Sequence, residues 1–263
     1  DWQNIEVGEG GKLTIAHGVL RYGGNRFGTS VSCQGCGRSQ MITNVGGVVA
    51  LKEVEIGNGF ETGSGSGPDA LVYSSGGTID LQNVKLHHGK RALHSGGNAE
   101  VKADSVEIND FDLSDKVVYF EQKMPSVWKN IQFMGNTPLY AYSPTLIVTS
   151  SYTLSPDHTF EFSTVSVEPQ GELILDGGNL YAKEITIKGK LSSGANENIS
   201  EIGGGHSSSS TFSRILFSAG SSGNLNNVKI QGGGYFQSTS AYPFSSPRPY
   251  MIWIDGATVS ISH

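Results

Sequence analysis

Four stretches of the chain share one hydrophobic signature: two apolar residues two positions apart, a step of three, then two apart again. In VVALKEVEI (48–56) the positions are Val49, Leu51, Val54 and Ile56, and in TIDLQNVKL (78–86) they are Ile79, Leu81, Val84 and Leu86. In AEVKADSVEI (99–108) they are Val101, Ala103, Val106 and Ile108, and a weaker copy runs Ser126, Trp128, Ile131, Phe133. LYAKEITI (180–187) follows the same rule. Apolar residues two apart mark a strand with one face buried, and a step of three moves the pattern to the other face unless the chain turns there. Each stretch therefore predicts two short strands with a corner between them.

The copies recur at unequal intervals while their inner pattern stays fixed, and tight two-residue turns between them are few. That combination predicts an all-β solenoid, in which every coil gives the same strands to a shared core and insertions leave as loops. The outward position between the third and fourth apolar residues runs Glu55, Lys85, Glu107. Opposite charges stacked about 4.8 Å apart attract, so this row supports the stacking without asking for chemistry.

A longer period lies above the short one. At an offset of 210, residues 1–53 match 211–263 without gaps: Ile5 with Ile215, Val7 with Phe217, Ile15 with Leu225, Leu20 with Ile230, Ile42 with Ile252 and Val49 with Val259. The chain is thus expected to be one continuous domain over 1–263, with 1–143 the coils of a first unit and 144–263 the opening ladder and first coils of a second. It reads as a piece of a tandem array, a monomer cut from a longer chain.

Composition removes several function classes. Glycine at 36 of 263 residues is about twice its usual share, and charged residues at 16% are below the usual level of about 25%. A net charge of -6 without basic blocks gives no footprint for nucleic acid. No stretch approaches the roughly 18 uninterrupted apolar residues of a membrane helix, so no membrane insertion is expected.

The segments DWQNIEVGEGGKLTIAHGVLRYGG and SRILFSAGSSGNLNNVKIQGGG resemble the W-x-x-I … I-R-Y-G-G segments of bacterial secreted and surface-anchored proteins of the pectin-lyase-like superfamily, and residues 152–191 resemble the ladder that opens each unit in such proteins. The resemblance implies a single-stranded right-handed parallel β-helix in a secreted or cell-surface bacterial protein. The paired aspartates, Gly-His-Gly and Arg-Ile-Lys of the polygalacturonase-like members are absent. Lyase-like members need calcium-holding carboxylates beside an arginine or lysine base. Only LHHGKRALH (86–94) offers comparable chemistry.

Coil alignment puts Asn58, His88 and Asp110 at equivalent places on successive coils, which would bring an imidazole and a carboxylate together. Lys90 and Arg91 lie just beyond as carboxylate clamps or a base. These four, His88, Asp110, Lys90 and Arg91, are the catalytic candidates; the competing reading is a solvated turn whose histidine bonds a neighbour. Cys33 and Cys36 have no counterparts in the second copy of their loop. They are expected to be a local disulfide clasp in an oxidising exterior, with a reduced pair as the alternative; two cysteines alone cannot make a structural zinc site, and no metal is expected. The corresponding second loop carries Tyr235, Phe236, Tyr242, Phe244 and Tyr250 among three prolines. Such rings either form a patch for stacking a sugar or meeting a protein, or cover the barrel beside Trp253. The expected function is a non-catalytic extracellular scaffold or adhesin module whose loops bind a polysaccharide or cell-surface partner, with no cofactor. A polysaccharide lyase or glycoside hydrolase, for which calcium would enter, and a structural spacer are the alternatives.

Overall fold

A computed structural model describes residues 4–23, 40–59, 70–111, 117–135, 141–156, 159–194, 199–203, 214–231 and 252–262. Every regular element among them is a β-strand, and the strands pair in parallel. The chain is all-β with large parallel sheets, consistent with a parallel β-helix. It divides into two compact units, Asp1–Tyr142 and Ser143–His263.

In the first unit the predicted apolar template is a set of registers. Leu13, Val49, Ile79 and Val101 stand opposite one another on consecutive strands, as do Ile15, Leu51, Leu81, Ala103 and Trp128, and then Leu20, Ile56, Leu86, Ile108 and Phe133. Val49, Leu51, Val54 and Ile56 are buried, and so are their counterparts through Ile108. Covering each such side chain contributes roughly 1.5–3 kcal/mol, and stacking like residues at one level fills the interior without steps. A preceding column of strand segments runs Ile5, Ile42, Val72, Leu93, Val118 and Ala141.

Polar residues enter this interior only where they are used up. Asn44 is fully buried; its amide donates to the carbonyls of Gly47 and Thr78, each at 3.2 Å, and its carbonyl accepts from the Gly47 amide at 2.9 Å. It closes the turn at residues 44–47 and ties it to the neighbouring strand.

In the second unit, Phe160, Leu180, Ile202 and Ile230 form one register column and Ile185, Ile215 and Ile252 another. A separate five-stranded sheet aligns Tyr152, Leu173, Leu191, Gly223 and Val259. LYAKEITI falls within the strand Asn179–Ile187. Burial pushes the Tyr152 hydroxyl up to about 12.

Registers in the two units correspond at the sequence offset. Ile5 pairs with Ile42 as Ile215 pairs with Ile252, and Leu13 with Val49 as Gly223 with Val259. The left-handed residues correspond too: His17 at φ 55° and Asn227 at φ 52°, Gly10 at 72° and Gly220 at 82°.

Candidate functional site

The corner that the step of three demands is made by one residue at the same level of each successive strand. His17, Glu53, Asn83, Ser105 and Asn130 stand in register with φ between 52° and 58°. A second row at the ends of the same strands comprises Tyr22, Asn58, His88, Asp110 and Gly135, with φ of 58°, 55°, 50°, 53° and 66°. A left-handed conformation costs an ordinary L-residue about 1–2 kcal/mol, and asparagine, aspartate, histidine and glycine bear it best. The residue types at 58, 88 and 110 therefore follow from the backbone. Their shared position is as the coil alignment placed them, but the chemistry expected between two of them is not what the side chains do.

His88 does not reach Asp110; its Nδ1 lies 2.7 Å from Nδ1 of His87, with the rings perpendicular. Buried His87 turns its Nε2 to Glu55 Oε1 at 3.0 Å, and the same oxygen accepts from Arg21. Arg21 first, and His87 second, hold the Glu55 carboxyl below its usual range. An ionised Glu55 only accepts, so His87 Nε2–H donates. With both rings neutral, His87 Nδ1 then accepts from His88 Nδ1–H, leaving the lone pair of exposed His88 on Nε2.

The charge row is also rearranged. Lys85 bonds Glu107 at 2.8 Å as expected, while Glu55 turns to Arg21 and His87. Asp110 lies close enough to Lys85 to help keep its ammonium protonated, after the larger effect of Glu107.

Arg91 belongs to a different setting from His88. Its Nη1 is 3.1 Å from His94 Nδ1, and its guanidinium stands 5.6 Å from the Tyr119 ring centre. Lys90 beside it is half-buried. His94 is part of an outward row in which Tyr73, His94, Tyr119 and Tyr142 occupy the same level of successive strands. Ring centres are 5.2, 4.9 and 5.5 Å apart along the row. His94 is only 6% exposed. Arginine only donates, so His94 Nδ1 accepts, and Nε2–H donates to Glu121 Oε1 at 2.7 Å. Burial pushes the imidazole pKa down, Glu121 opposes this and Arg91 adds to it. Burial likewise pushes the Tyr119 phenol up.

Sequence reasoning missed this row, although a signal was there. The tripeptides Val72-Tyr73-Ser74, Leu93-His94-Ser95, Val118-Tyr119-Phe120 and Ala141-Tyr142-Ser143 each set a ring between two inward residues. Cys33, Cys36, Tyr235, Phe236, Tyr242, Phe244 and Tyr250 lie outside the described residues. Trp253 is 47% exposed, whereas Trp128 is buried edge-on against Phe120. Among the described residues no three histidine, cysteine, aspartate or glutamate side chains are grouped to hold a metal ion.

No family model, no curated protein and no solved structure matches the chain.

Proposed function

We propose that the chain is a right-handed parallel β-helix of the pectin-lyase-like kind, belonging to a secreted or cell-surface bacterial protein, and that it serves as a non-catalytic scaffold presenting loops to a polysaccharide or surface partner. The observation that supports this reading best is the left-handed row at the strand ends. Asn58, His88 and Asp110, the residues that most resembled an active site, already have a backbone duty that selects their types. The constant strand registers, with stretches of unequal length between them, suit a body that displays loops. The test is a glycan-array and insoluble-polysaccharide pull-down with the wild type and a variant carrying Tyr235→Ala, Tyr242→Ala and Tyr250→Ala. Binding by the wild type supports a carbohydrate-presenting scaffold, and its loss in the variant assigns the contact to that loop.

One observation favours the lyase or hydrolase reading instead: the Glu55–His87–His88 chain, which leaves an imidazole lone pair at an exposed corner. Release of shortened chains from uronate polymers by the wild type but not by His88→Ala would support it.

A further inference from the structure

We propose that the row Tyr73–His94–Tyr119–Tyr142, with Arg91 and Glu121 at its side, is a binding track for a linear, uncharged polysaccharide; the proposal rests on the scaffold reading above and names its ligand and its site. Three features carry it. The rings stand on successive strands, so their pitch is the strand spacing of about 4.8 Å, close to the length of one pyranose in an extended chain. Tyr73, Tyr119 and Tyr142 are half-buried, each leaving part of its surface to solvent, and aromatic surface is what the C–H face of a sugar stacks on.

The second feature is rigidity. His94 is wedged between Tyr73 and Tyr119 and bonded on both ring nitrogens, to Arg91 and to Glu121. That fixes the tautomer and orients two groups whose chemistry suits hydroxyls: a guanidinium, which donates, and a carboxylate, which accepts. Little side-chain freedom remains to be lost when a ligand arrives.

The third is charge balance. Arg91 and Glu121 flank the row together, with His94 neutral between them. A uronate gains from the arginine and is repelled by the glutamate, whereas a neutral sugar uses both as hydrogen-bond partners.

Affinity gel electrophoresis in native gels containing glucomannan, xylan or hydroxyethyl cellulose, with polygalacturonate as the charged control, tests the track. Wild type is compared with Tyr119→Ala/Tyr142→Ala and with Tyr119→Phe/Tyr142→Phe, each variant first checked for an unchanged circular dichroism spectrum. The expected result is retardation of the wild type by at least one neutral glycan, a loss of affinity of about tenfold or more in the alanine pair, and a change within about threefold in the phenylalanine pair. If the alanine pair does not fold, the phenylalanine pair together with Glu121→Gln decides: retained retardation in the first and weakened retardation in the second supports the track. Equal retardation of wild type and alanine pair overturns the site while leaving a glycan-binding scaffold standing. Retardation by polygalacturonate alone overturns the ligand class. No retardation by any of the four polymers overturns the track and the polysaccharide reading together.

Discussion

The imidazole of His87 occupies the space that a side chain on Gly57 would need: a Cβ at residue 57 would lie 2.2 Å from Cε1 and 2.4 Å from Nε2 of that ring. The two residues face each other across adjacent strands, and the glycine lets the ring lie flat enough to reach Glu55. Gly57→Ala is expected to cost about 1–3 kcal/mol by overpacking, lowering the melting temperature by several degrees. In a His87→Ala background the same substitution is expected to cost almost nothing. Thermal melts of the four proteins check this, and an equal penalty in both backgrounds would sink the crowding account.

The left-handed row at the strand ends makes a prediction that separates backbone duty from catalysis. His88→Val forces a β-branched residue into the left-handed region and should lose about 1–2 kcal/mol, while His88→Gly, which adopts that conformation freely, should keep its stability more nearly. Urea unfolding midpoints of the two variants give the answer. Equal losses would mean that the imidazole's contacts, and not its φ of 50°, set the cost.

Asn44 answers to three hydrogen bonds in a fully buried turn. Asn44→Ala leaves the Gly47 amide and the two carbonyls with less than they had, at about 1–3 kcal/mol for each group left unsatisfied. The expected outcome is a large drop in urea midpoint with an unchanged slope. A drop no larger than that of an exposed Asn98→Ala control would contradict it.

His94 predicts how stability responds to mild acid. Its folded pKa lies below the ordinary value of 6.5, so below that pH the unfolded chain binds a proton that the folded chain resists. Its contribution is complete above about pH 6.5 and is lost as the pH falls through that value towards the folded pKa. Glu121 opposes this and Arg91 reinforces it, while the Tyr73 and Tyr119 rings pack around the imidazole. The melting temperature of the wild type should fall between pH 7.5 and 5.5 by more than that of His94→Gln. A smaller fall in the wild type would reverse the sign and remove the argument.

Much of the first unit could be read from the apolar spacing alone. Val49, Ile79 and Val101 stand opposite one another because a two–three–two pattern has only one way to keep its apolar residues inside, and the corner falls in the step of three. The residue that turns the corner was not legible, since Glu53, Asn83 and Ser105 share a φ and not a side-chain type. Conversely, Asn58, His88 and Asp110 drew attention by type, and their types also suit the left-handed backbone. Contacts between neighbouring strands were harder still. Which oxygen Arg21 chooses, and that Arg91 turns to His94 and not to His88, depends on positions tens of residues apart. The aromatic row lay in strand segments ahead of the repeated template, where three residues apiece are too few to show a period.

A corner that needs one residue also fixes an address. In the first unit the detours between successive strands differ in length along the sequence, yet each of the long strands passes through the same left-handed step and holds its register with the next. A detour can therefore be lengthened, shortened or exchanged without moving what its neighbours present. Variation in such a molecule is sorted in advance: changes in the detours alter what is shown, and changes at the corners alter where everything is shown.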